Sequence, residues 1–224
     1  MIKKKYFIKS IKKELCKEWL LHKHYAKRIP LIKYSFGLYT KENLFGICTF
    51  GLPCRMLNMG YSIFGGQYTM QTLELNRLVV NDNLEKNVLS FFVSQTFKML
   101  PKPLVLISYA DKNNGHHGYI YQATNWIYTG LTSKRKKIID MQGKEIHERT
   151  INSRLGTSNI DKLIEENYIV NEQEGKYRYV KFLGSKKQVK KMQNKMVYKV
   201  LKYPKGNNIN YDASYKTHTQ TELF

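Results

Sequence analysis

The chain has 224 residues, enough for one sizeable core and too few for two full domains. Its hydrophobic fraction of 42% excludes wholesale disorder, and no run reaches the roughly 20 apolar residues that a membrane-spanning helix needs. With 38 Lys+Arg against 17 Asp+Glu the net charge is +21, which points to a polyanionic partner: nucleic acid first, an anionic membrane surface second, with a merely Lys-rich, basic surface as the plain alternative.

The start of the chain is basic, but no apolar segment follows it. Cys16, Cys48 and Cys54 are odd in number and wrongly spaced for a zinc knuckle, which points to a reducing, cytoplasmic setting. Residues 5–11 read as a short strand. Residues 12–25 read as an amphipathic helix, with Leu15, Trp19 and His22 along one side and Pro30 as its stop. Residues 31–39 and 44–50 are β-rich runs flanking a turn at 41–43, and a Gly-rich irregular stretch occupies 58–67. Residues 72–80 (TLELNRLVV) form the next strand, and 84–100 a helix ended by Pro101. The continuous apolar run at 104–109 reads as a buried central strand. A short helix follows at 117–123 and a strand at 126–129. This order predicts an α/β (α+β) fold with a central mixed sheet flanked by helices. Beyond Thr132 the pattern weakens to a hairpin within 138–146, a helix at 159–167, a strand at 176–183 and a Lys-rich helix at 185–200. There is no internal repeat. The organisation expected is one domain over 1–205, with a basic C-terminal extension at 176–205 and a polar, loose tail at 206–224.

Four features carry chemistry. Where strand 72–80 gives way to helix 84–100, unpaired backbone N–H groups suit a pyrophosphate, and Asn87 and Ser90 lie where their side chains add to it. An ordinary β–α unit is the plainer reading there, because the loop has no glycine. In 108–126, Asp111 follows a buried strand, Gly115 and Gly118 bracket His116 and His117, and Tyr121 sits on a helix where a phenol serves as a general acid. A packed helix with Tyr121 in the core and Asp111 as a turn residue fits that pattern equally. His24, Asp111 and His116 are of the types that make a two-His, one-carboxylate metal site, but nothing in their spacing demands it, and capping or surface histidines are the favoured reading. Finally, residues 176–205 hold eleven cations and no Asp or Glu. Arg178, Lys186, Lys187, Lys190 and Lys191 are among them, interleaved with Tyr177, Tyr179, Phe182, Tyr198 and Tyr203. Cations for phosphates and aromatics for unpaired bases favour nucleic acid over a solvated helix face. A base that reacts must leave the stack, which suits an aromatic-lined cleft.

The strings ELNRL (74–78), SYAD (108–111) and YQATNWIYTG (121–130), with Ser90, Gly115 and His116 between them, resemble the Mom family of phage DNA-modification proteins. The resemblance extends upstream to His24, Tyr25 and the glycines of 36–53, and downstream to KYRY (176–179) and KYPK (202–205), in colinear order over residues 20–205. It implies a diverged acyl-CoA N-acyltransferase (GNAT-like) fold, a site in a phage host's cytoplasm, and conversion of adenine in double-stranded DNA to an N6-carbamoylmethyl form that shields DNA from restriction. It further implies that Arg77 and Ser90 hold acetyl-CoA or a related acyl-CoA. Tyr121 then matches the tyrosine of the acyltransferase helix. His24 and Asp111 match positions tied to activity and to an iron(II) site. The usual glycine-bearing pyrophosphate loop is replaced by VNDNLEKN at 80–87. The product also joins adenine through a methylene carbon, whereas attack on a thioester gives an amide. The other readings are an N-acetyltransferase of the same fold acting on a small amine or protein lysine, and a catalytically silent DNA-binding module.

Overall fold

The computed structural model describes residues 2–41, 43–53, 63–82, 84–146 and 148–206. Cys54, residues 58–62 of the 58–67 stretch and the tail beyond Gly206 lie outside them. The described strands are β1 (Tyr6–Ser10), β2 (Tyr34–Thr40), β3 (Asn43–Gly51), β4 (Thr72–Val80), β5 (Leu104–Ala110), β6 (Ile127–Leu131), β7 (Arg135–Ile139), β8 (Glu145–Ile146), β9 (Ile169–Gln173) and β10 (Tyr177–Leu183). The α-helices are α1 (Ile2–Lys5), α2 (Val88–Met99), α3 (Tyr119–Ala123), α4 (Glu148–Leu155), α5 (Ile160–Glu165) and α6 (Lys186–Asn194).

Seven strands form one sheet in the order β1-β2-β3-β4-β5-β10-β6. Its pairs are antiparallel except β4 with β5, so the sheet is mixed, as the element order predicted. β5 lies inside the sheet, between β4 and β10, and is buried on both faces. Leu104, Leu106 and Ala110 face α2, while Val105 and Ile107 face the opposite side. Helix α2 buries Val88, Phe92, Val93 and Phe97 against Phe36, Leu38, Phe50, Leu73 and Leu106. Each such side chain contributes about 1.5–3 kcal/mol of burial. On the other face Met192 of α6 packs with Ile63, Phe64, Val105, Ile107 and Val180.

The predicted helix at 12–25 is instead a 3-10 turn (Lys13–Cys16) running into a π-turn (Trp19–Lys23). Widening the helix rotates its inner face. Cys16, Trp19 and Leu20 go into the core on Ile47 and Val79, whereas Leu15 is 46% exposed. Helix α2 starts later than predicted because Asn87 adopts a left-handed backbone, φ 69°, that breaks the first turn. The Lys-rich helix ends at Asn194. The chain then runs on as a strap whose Val197 and Leu201 amides donate to the carbonyls of Ile63 and Tyr128.

Residues 132–175 form a lobe between β6 and β10. Its sheet, β8-β7-β9, carries α4 and α5 around a separate small core of Ile138, Ile151 and Leu163. Helix α4 and strand β9 gave no clear pattern in the sequence, because this core is too small to need long apolar runs.

Candidate active site

β4 and β5 are hydrogen-bonded only over Thr72–Val105, Leu73–Leu106 and Glu74–Ile107. β4 continues to Val80 beside β3, and β5 continues to Ala110 beside β10, so the two parallel strands part. A bulge at Asn76 bends β4 where the ladder ends; Arg77 then pairs with Thr49 and Leu75 with Phe50. The Asn76 side chain secures the bend, accepting from Thr49 Oγ1 at 2.6 Å and donating to the Leu31 carbonyl at 2.9 Å.

Ser108 closes the apex of the opening. Its Oγ lies 2.7 Å from the Leu75 carbonyl and 2.7 Å from the Tyr121 hydroxyl. A carbonyl only accepts, so the single Ser108 proton goes to Leu75 and the Tyr121 phenol donates to Ser108. Burial drives the Tyr121 pKa far above that of an ordinary phenol, against the Ser108 hydrogen bond, so Tyr121 stays protonated. Its ring packs on Trp126 and Tyr179 at 5.2 and 5.0 Å between centroids. Tyr121 is therefore a core residue, and its hydroxyl meets Ser108 at the apex where β4 and β5 part.

Above the apex, His24, Tyr25 and Arg77 come together with Asp111, His116 and Lys176. The Tyr25 ring stacks on His24 at 4.4 Å and meets His116 at 5.8 Å. His24 ends the π-turn, and its Nδ1 accepts the Ala26 N–H at 3.0 Å, so the neutral ring carries its proton on Nε2. Burial, then the charges of Arg77, His116 and Lys176, push its pKa down to about 3. Burial also lowers His116, with His117 and Lys176 adding to that and Asp111 opposing it. Burial pushes Asp111 up, but the Lys176 ammonium at 2.5 Å and the amide and side chain of Asn113 outweigh it, so the carboxylate is held below its ordinary value. Arg77 is half-buried, with one nitrogen donating to the Asn76 carbonyl at 2.6 Å and its Nε buried without a partner.

His24 is expected to stay neutral between pH 8 and 5. An unfolded imidazole protonates near 6.5, so the unfolded state binds the proton first and stability falls as pH drops from about 6.5 toward 3. His24→Gln should flatten that dependence. An NMR titration giving His24 a midpoint near 6.5 would refute the assignment.

The donors do not fit a metal as they stand. Among the described residues no three of His, Cys, Asp and Glu gather at a common point, and the Asp111 carboxylate faces the Lys176 ammonium. They do not make the iron site that the resemblance implies. Asn87 and Ser90 lie on the first turn of α2, where Ser90 Oγ donates to the Asn87 carbonyl at 3.0 Å. Among the described residues no hydrogen bond joins either to the His24–Asp111 cluster. Lys186, Lys187, Lys190 and Lys191 are exposed on α6, opposite buried Met192. Arg178 is instead engaged within the fold, donating to Thr129 Oγ1 and O at 2.9 Å and lying 3.5 Å over the Tyr198 ring. The sequence assigns Ser108 no role, and Lys176 only that of one cation in the basic 176–205 extension. Alternation along β5 already placed Ser108 on the same face as Leu106, but nothing local pairs Lys176 with Asp111.

Fold and site define an α/β protein with a polar cluster at the mouth of a parted parallel strand pair. The chain belongs to the Mom protein family, whose model matches residues 5–205. It is 27% identical over 212 residues to the methylcarbamoylase mom of Escherichia phage Mu, covering 89% of this chain and 86% of that protein. Among solved structures it is similar to an N-acetyltransferase from Staphylococcus aureus Mu50, with 13% identity, TM-score 0.42, and 80% of this chain and 99% of that one covered. A GNAT-family acetyltransferase from Streptococcus pneumoniae gives 9%, 0.41, 80% and 99%. A Bacillus subtilis acetyltransferase in complex with CoA gives 12%, 0.37, 80% and 100%.

Proposed function

We propose that this chain is a transferase that modifies adenine in double-stranded DNA at N6, by carbamoylmethylation, and thereby protects the DNA from restriction. The observation that carries the reading is the convergence of His24, Tyr25, Arg77, Asp111 and His116 at the mouth of the parted strands, on a chain of net charge +21. The phage Mu relative, a methylcarbamoylase by name, supports the same reaction.

An acyl-CoA-type donor fits the opening: among the described residues β4 beyond Glu74 has no strand beside it on the β5 side, and Arg77 Nε is buried without a partner. Such a group, when bound, would supply a two-carbon acyl unit; direct attack of N6 on its thioester carbon gives an amide, so the carbamoylmethyl product requires the bond to form at the carbon beside the carbonyl. Arg77 offers the anionic end of a donor a desolvated cation. Tyr121 stays protonated and holds its proton at the apex through Ser108. His116 is kept as a neutral imidazole, the form that accepts a proton, and so suits the adenine amino group. Tyr25, 41% exposed beside two imidazoles, offers an extrahelical base an aromatic neighbour.

Nucleoside mass spectrometry of DNA from cells expressing the chain, alongside an Asp111→Ala variant, tests the reading. Modified adenine in the first sample alone is expected; unmodified adenine in both overturns it. DNA binding is expected to rest on α6. Changing Lys186, Lys187, Lys190 and Lys191 together to Gln should make log Kd against log salt shallower by roughly 0.9 for each DNA phosphate that is no longer neutralised. Fluorescence anisotropy over a salt series reads that slope. An unchanged slope moves the DNA away from α6, and salt-independent binding favours a small-amine or protein-lysine acetyltransferase.

A further inference from the structure

The lobe between β6 and β10 rejoins the main sheet beside the candidate site. At its neck the Thr132 amide donates to the Lys176 carbonyl at 2.9 Å, and the Lys176 amide donates to Thr132 Oγ1 at 2.9 Å. A Cβ on Gly175 would meet the Thr132 carbonyl at 1.8 Å, so only glycine passes there. The backbone of Lys176 is thus clamped on both sides before its side chain leaves for Asp111.

From the neck, three contacts cross to the turn that follows β5. Lys176 Nζ meets Asp111 Oδ2 at 2.5 Å, with Asp111 7% exposed. Asn113 Nδ2 donates to the Glu174 carbonyl at 3.0 Å, and Lys112 pairs with Glu174 at 3.2 Å in solvent. The exposed pair contributes little; the buried one is decisive, because a desolvated carboxylate needs its cation. Asp111 in turn organises the turn. Its Oδ1 accepts the Asn113 amide at 3.2 Å, and its carbonyl accepts the amides of Asn114 and His116 at 3.1 and 3.0 Å. His116 at the far end meets Tyr25, which is stacked on His24.

We propose that Lys176 is a positioning residue of the candidate site: fixed by the neck of the inserted lobe, its ammonium holds Asp111 so that the 111–116 turn presents His116 to Tyr25 and His24. The inference rests on the transferase reading for its kinetic arm alone. Without the ammonium, the Asp111 carboxylate turns toward water. Its Oδ1 then releases the amide and side chain of Asn113, the turn loosens from that point, and His116 leaves Tyr25. The lobe and the site then no longer hold one arrangement.

The test uses the full chain with Lys176→Met, Lys176→Arg and Glu174→Gln. Amide hydrogen exchange in Lys176→Met is expected to accelerate about tenfold or more at Asn113, Asn114 and His116, with β4 and β5 unchanged. In DNA modification kinetics, kcat should fall about tenfold or more while KM for DNA stays within about twofold. Lys176→Arg should restore most of both, and Glu174→Gln should move neither by more than about twofold. Unchanged exchange at the turn in Lys176→Met overturns the proposal. So does acceleration spread across the whole sheet, which marks a general stability role, and so does a raised KM with kcat intact. If the wild-type chain leaves adenine unmodified, the transferase reading fails by itself, and the exchange arm still decides whether Lys176 holds the turn.

Discussion

Asp111→Asn is expected to abolish adenine modification and to destabilise the chain at neutral pH. The substitution keeps the shape and removes the charge, leaving the Lys176 ammonium beside a neutral amide. Removing one partner of a fully buried pair costs about 3–5 kcal/mol; with the Lys176 side chain 24% exposed, about 2–3 kcal/mol is the expected loss. The effect has a defined pH window. The Asp111 carboxyl is held below its ordinary value in the fold, so its contribution is complete above the unfolded carboxylate value near 3.9 and fades as pH falls through the folded value. Urea unfolding should therefore separate the wild type from Asp111→Asn fully at pH 7, and progressively less as pH falls below about 3.9. A separation that does not shrink at all below that pH would exclude the ion pair as the cause.

Gly118→Ala strikes the other end of the same turn. Gly118 precedes α3 with φ 78° and ψ 33°, a left-handed backbone that alanine adopts only at a cost. A Cβ there would also lie 2.4 Å from the Tyr179 ring. That ring is held in place, since its hydroxyl donates to the His117 carbonyl at 2.5 Å and accepts from Gln122 at 3.3 Å. Strain of about 1 kcal/mol and overpacking of about 1–3 kcal/mol give an expected loss of about 2–4 kcal/mol. The displaced helix start carries Tyr121 away from Ser108. Thermal unfolding and modification activity read the two consequences. A Gly118→Ala chain as stable and as active as the wild type would show that the turn relaxes without touching Tyr179.

How much of this was legible in the sequence differs from element to element. β4 matches the predicted strand 72–80 residue for residue, and β5 matches its apolar run with one residue added. Both are buried, so alternation or continuous apolarity had to be written into them. The segment at 12–25 misled because its pattern was read at 3.6 residues per turn, whereas the π-turn there carries Lys23 inward and His22 outward. The stretch after Asn194 has helical composition, yet bonds to the Ile63 and Tyr128 carbonyls hold it out of the helix. Backbone partners far away in the chain overrode local propensity.

The site divides the same way. Its residue types and their order along the chain were visible: His24, Asp111, His116 and Tyr121 were candidates from their chemistry, and Arg77, within strand 72–80, from the family resemblance alone. The sequence by itself determined the mixed sheet, the buried central strand, the excess of positive charge and the family resemblance, because burial periodicity and composition are local properties. Only the tertiary structure decided that Tyr121 donates a hydrogen bond to Ser108, that Tyr25 stands between His24 and His116, that Arg178 is engaged inside the fold and that the Asp111 cation is Lys176. Those four facts depend on pairings between residues 13 to 91 positions apart, and on which groups burial leaves to pair with one another. No period along the chain encodes them.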